Sequence, residues 1–94
     1  IYIWPGGPHL FTPAAPTHLL VIPKKHLTDV KSADAEDEAL MGKLLLRAND
    51  IAAEQGLTDD GFRYVINTGS NGGQTVFHLH LHILGGRQLG WPPG

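Results

Sequence analysis

The chain has 94 residues, a formal net charge of −2 and no cysteine. A chain of that length supports one core and buries about two-thirds of its unfolded surface, and its charge provides no cationic excess for wrapping DNA or RNA. Disulfides and thiolate metal sites are excluded, no apolar run nears the roughly 20 residues needed to span a bilayer, and no charged-then-apolar leader opens the chain, so the expectation is a soluble cytoplasmic protein that contacts neither membrane nor extended nucleic acid. A small phosphate ligand stays open, because backbone amides can hold one without net charge.

Residues 1–16 carry four of the seven prolines and are expected to be irregular or extended, with at most a short strand at IYIW. The chain opens on Ile1, which reads as a processed or truncated end. Thr17–Ile22, THLLVI, is apolar and rich in β-branched residues and stops at Pro23: a strand, followed by the basic turn PKKH. From Ser32 to Gly56 the period becomes helical, with Leu40, Met41, Leu44, Leu45, Ala48, Ile51 and Ala52 forming one apolar stripe. Ser32 or Asp34 can cap its start, the acidic residues that follow suit the positive end of the macrodipole, and Gly56 suits its end. Phe62–Asn67 and Val76–Leu84 read as two more strands, joined by a glycine-rich connection, and the segment from Gly85 to Gly94 reads as an irregular arm. The predicted fold is α+β, an antiparallel sheet with one packed helix, in a single domain.

The last strand contains FHLHLHIL, residues 77–84, with a histidine at every second position. Side chains alternate across a strand, so His78, His80 and His82 point one way and Leu79, Leu81 and Ile83 the other, toward the helix. Successive imidazoles stand roughly 6.6–6.8 Å apart. Three readings compete. The rings could simply be the polar face of a half-buried strand. They could bind zinc, although His78 and His82 would be about 13 Å apart on a straight strand, too far to share an ion easily. Or one neutral ring could act as a nucleophile, its second N–H held by an acceptor that fixes the tautomer, with its neighbours stabilising charge on the transferring group. His80, with a histidine on each side, is the natural nucleophile. A phosphoryl or nucleotidyl centre suits it, since the P–N bond so formed is labile to water. The upstream loop NTGSNGGQT supplies phosphate donors: Asn67, the amides around Gly73 and Gln74, and the Thr75 hydroxyl.

The run His78-Leu79-His80-Leu81-His82-Ile83-Leu84 resembles the signature of the histidine triad (HIT) superfamily. PTHLLVIPKKH, NTGSNGGQTVFHLHLHILGGRQ and the ending WPPG resemble its Hint branch, the purine nucleoside phosphoramidases. The resemblance spans roughly Pro13–Gly94. It implies a homodimer whose two sheets join into one, and hydrolysis of AMP or GMP derivatives such as adenylylated lysine or aminoacyl-adenylates, without metal or other cofactor. By position it implies His80 as the nucleophile, His82 as the ring on the α-phosphate and His78 as the residue whose carbonyl receives the N–H of His80. It also implies His18 as a fourth histidine from a neighbouring strand, and Thr75 in place of a serine that contacts phosphate and helps protonate the leaving amine. Asn67 and Gly73 match phosphate contacts, and Trp91 matches a residue that reaches the partner's site. Lys24, Lys25 and His26 receive no catalytic task. Residues 1–12 depart from the pattern: an aspartate expected on the ribose hydroxyls falls at Leu10, and no Asp or Glu precedes Asp29, so the front reads as truncated or divergent and the ribose half of the site as weakened. Two rivals follow: a nucleotide-binding or protein-interaction module with little turnover, and a hydrolase of dinucleoside polyphosphates.

Overall fold

The computed structural model describes residues 1–4 and 14–94. Among them the chain runs through strand β1 (Tyr2–Trp4), strand β2 (Thr17–Ile22), helix α1 (Glu38–Glu54), strand β3 (Arg63–Val65) and strand β4 (Leu81–Gly85). The strands form one antiparallel sheet in the order β1-β2-β4-β3, with the helix packed on it, the α+β architecture that the sequence predicts.

The register of the two central strands decides which residues face the helix. Leu19 pairs with Ile83 and Val21 with Leu81, and these four side chains are buried against Leu44, Ala48, Ile51 and Ala52 of α1. Positions 44, 48, 51 and 52 recur at the helical period, so a single stripe of α1 closes the core. Leu40 and Met41 pack at its border, while Leu45, which the sequence places in the stripe, is 46% exposed and lies off the buried one. The opposite face of the sheet follows from the same pairing. Leu20 pairs with His82 and His18 with Leu84, so His18 and His82 share that face as diagonal neighbours, close enough for long side chains to meet.

Three element boundaries differ from the sequence expectation. The α-helix begins at Glu38 rather than Ser32, because two 3-10 turns precede it. Asp29 caps the first, accepting from the Ser32 N–H at 2.9 Å and the Ser32 hydroxyl at 2.7 Å. Ala33 is then extended, and Asp34 caps the second turn in a reciprocal box with Asp37. Lys25 forms an ion pair with the buried Asp37, which ties the turn after β2 to the start of the helix. Strand β3 keeps only the middle of the predicted Phe62–Asn67. Strand β4 starts at Leu81, so His78 and His80 lie just ahead of the ladder rather than inside it. At its far end α1 stops as expected: Gly56 takes a positive φ of 72°, and the N–H groups of Gly56 and Leu57 donate to the carbonyls of Ala53 and Ala52.

Leu10, the position matched to the ribose carboxylate, lies outside the described residues, as does most of segment 1–12. Among the described residues no helix is long and apolar enough to cross a membrane.

Candidate active site

Just before β4 the apolar positions remain inward, with Leu79 as buried as Leu81 and Ile83. The three histidines are left half-buried on the other side. The centre of this row is His80, whose Nδ1 lies 2.7 Å from the carbonyl oxygen of His78. A carbonyl can only accept, so Nδ1 carries the hydrogen, and in the neutral ring Nε2 keeps its lone pair. The ring of His82 stands 4.9 Å from that of His80, tilted by 62°.

A second chain of bonds fixes the state of His82. The Ala14 N–H donates to His18 Nδ1 at 2.9 Å, and His18 Nε2 lies 2.8 Å from His82 Nδ1. Once His18 Nδ1 is an acceptor, a neutral His18 carries its hydrogen on Nε2 and donates it to His82 Nδ1. His82 then bears its own hydrogen on Nε2. Burial, followed by the nearby charges of His80 and His18, pushes the pKa of His82 down to about 4, and burial also lowers that of His18. Both effects keep the pair neutral at pH 7, where these tautomers hold.

The loop between β3 and β4 is built by Gln74. This buried side chain accepts from the Gly69 N–H at 2.9 Å and donates to the carbonyls of Thr28 at 2.7 Å and Val76 at 3.1 Å. The backbone N–H of Gly73 donates to Ser70 and that of Gln74 to Gly69, so these groups shape the loop from within. Gly73 has a positive φ of 84°, a conformation that side chains rarely adopt. Among the described residues, no hydrogen bond occupies the Asn67 amide or the Thr75 hydroxyl. Val65 pairs with His82, and continuing that register two residues brings Asn67 level with His80. Thr75 is exposed on the loop, and the exposed Val76 and Phe77 follow it.

Trp91 is 81% exposed. The arm that carries it is tied to the sheet edge, where Arg63 donates to the Gly90 carbonyl at 2.8 Å and its guanidinium lies 5.9 Å from the Trp91 ring centre.

One histidine that the sequence reading left without a task also joins the row. His26 Nδ1 lies 3.3 Å from His78 Nδ1, and the two rings meet edge to face at 4.9 Å. The antiparallel pairing of β2 with β4 places it there, because that pairing brings the turn after Ile22 alongside the residues before Leu81, and the sequence carried no signal of that pairing. Gln74's internal bonding had no mark in the sequence either. Among the described residues no three of His, Asp and Glu converge in a way that could hold a metal ion.

An antiparallel sheet, one packed helix and a row of imidazoles with a tethered central ring define a histidine-triad fold and site. The chain belongs to the HIT domain family, whose model matches residues 9–89. It is 60% identical over 82 residues to an uncharacterised HIT-like protein of Synechococcus elongatus, covering 87% of this chain and 71% of that one. Its fold is similar to the crystal structure of a HIT family hydrolase from Legionella pneumophila, with a TM-score of 0.85 and 51% identity over 87% of this chain and 73% of that one. A histidine triad protein from Clostridium difficile is similar at a TM-score of 0.81 and 42% identity, covering 84% of this chain and 69% of that chain.

Proposed function

We propose that the chain is a Hint-type hydrolase of purine nucleoside 5′-phosphoramidates that works through a covalent nucleotidyl-histidine. The observation that carries this reading is the 2.7 Å bond from His80 Nδ1–H to the His78 carbonyl, which leaves Nε2 nucleophilic in a neutral ring. In the first step the Nε2 lone pair attacks phosphorus and the P–N bond to the amine breaks, the amine leaving with a proton that the Thr75 hydroxyl helps deliver. In the second step water attacks the same phosphorus and gives up a proton that replaces the one delivered to the amine, the His80–phosphorus bond breaks, and the nucleoside monophosphate departs with His80 and the Thr75 hydroxyl restored. The Nε2–H of His82 donates to a phosphate oxygen as charge builds on it, acting in a site that His18 keeps in the correct tautomer.

Asn67 and Thr75 contact the phosphate, while Gly73 and Gln74 hold the loop in the shape that presents them. The working form is a cytoplasmic homodimer in which Trp91 reaches the partner's site, and no metal takes part. The similarity to HIT family hydrolases supports a hydrolytic reaction, and WPPG together with GGRQ supports the Hint branch.

The test is turnover of an adenosine phosphoramidate carrying a fluorescent amine. His80→Asn should lower kcat by roughly 10³-fold or more, as expected for loss of a nucleophile, and quenched wild-type reactions should carry an adenylyl mass on His80. Equal turnover in wild type and variant would refute the mechanism. AMP binding without turnover in either would favour a binding module, and preferential cleavage of a dinucleoside polyphosphate would move the substrate class.

A further inference from the structure

We infer that His26 is a positioning residue that, through the ring of His78, fixes the tautomer of His80. The inference rests on the nucleotidyl-histidine reading and adds to it a part of the site supplied by the turn after β2. His78 Nε2 lies 2.9 Å from the Pro23 carbonyl, so it carries the hydrogen, and in the neutral ring His78 Nδ1 is left as an acceptor. His26 Nδ1, at 3.3 Å, must then be the donor. Both nitrogens of His78 are thereby held by one short segment, Pro23 and His26.

The grip matters because of where residue 78 sits. It precedes β4, in a stretch where regular strand pairing does not fix the direction of its carbonyl. A third contact comes from the same segment, since the Leu79 N–H donates to the Leu27 carbonyl at 2.7 Å. Pro23, His26 and Leu27 therefore hold residues 78 and 79 from the side chain and from the backbone. The group so aimed is the His78 carbonyl that accepts from His80. Without the His26 donor, the His78 ring loses one of its two anchors and the carbonyl gains freedom to turn. The Nδ1–H tautomer of His80, which exposes the Nε2 lone pair, is then less favoured.

Asparagine and glutamine separate this role from simple packing. An Asn side chain places an N–H donor where His Nδ1 stood, whereas Gln places its donor further out, where Nε2 stood. His26→Ala should lower kcat about 3–10-fold, the effect of one lost hydrogen bond, with KM within about twofold. His26→Asn should restore most of the loss, and His26→Gln should not. Nitrogen-15 spectra of histidine-labelled protein should show His80 as the Nδ1–H tautomer in wild type and His26→Asn, and as a mixture in His26→Ala. Unchanged kcat and an unchanged His80 spectrum in His26→Ala would overturn the inference. So would a folded His26→Asn that behaves like His26→Ala. The spectra decide the positioning even if the wild-type chain hydrolyses no phosphoramidate, a result that would remove the proposed reaction while leaving the clamp standing.

Discussion

His82 has His18 on one side and His80 on the other, and its pKa of about 4 arises first from burial and then from those neighbours. The sign of its contribution to stability follows from the direction of that shift. In the unfolded chain an ordinary histidine titrates near 6.5, so between about pH 6.5 and 4 the unfolded state binds more protons than the folded one. Stability is therefore fully present above pH 6.5 and is lost as the pH falls toward 4. The lowered pKa of His18 acts in the same direction. Urea unfolding at pH 7.5 and pH 4 should differ by on the order of 1–2 kcal/mol from His82, after allowance for its partial contact with solvent. His82→Gln, which does not titrate, should flatten the slope between these pH values. A slope that is unchanged in that variant would mean the stabilisation comes from other groups.

At the level of elements, the site depends on connections rather than on the sheet alone. Gln74 joins three backbone groups from two different loops, and because it is buried its loss would leave those groups without their partner. Gln74→Ala should destabilise the fold by about 2–3 kcal/mol, seen as a lower urea midpoint, and should raise KM more than it lowers kcat if the loop mainly binds phosphate. The start of α1 depends on a different device. Asp34 accepts from the Glu36 N–H at 2.9 Å, and Asp37 accepts in return from the Asp34 N–H at 3.1 Å. Asp34→Ala should cost about 1 kcal/mol, read as a lower urea midpoint.

Across the whole molecule, β1 and β3 are the outer strands among the described residues. The proposed homodimer would cover an outer strand and bring Trp91 of one copy to the site of the other. Sedimentation at micromolar concentration should give twice the chain mass, and Trp91→Ala should raise KM without lowering kcat in the dimer. A monomer with full activity would remove the cross-subunit role of Trp91 and leave its stacking over Arg63 as the purpose of the arm.

Alternation determines much of this protein from the sequence alone. A period of two sends Leu79, Leu81 and Ile83 inward and the three histidines outward, and a period near 3.6 gives α1 its buried stripe; both depend on local backbone geometry, so adjacent residues suffice to read them. The helix start was less legible, because Ser32 and Asp34 are both good caps and only the extended backbone at Ala33 divides them. That a nucleophilic His80 needs an acceptor on its second N–H was legible from the residues; that the acceptor is the His78 carbonyl, and that His18 joins the site, were legible only through the family's motifs. Tertiary structure alone decided which nitrogen of each imidazole bears a hydrogen, since that depends on acceptors such as the Pro23 carbonyl, which lies 55 residues from His78 in the chain. It also decided that His26 belongs to the row, because only the pairing of β2 with β4 brings the turn after Ile22 to the residues preceding Leu81.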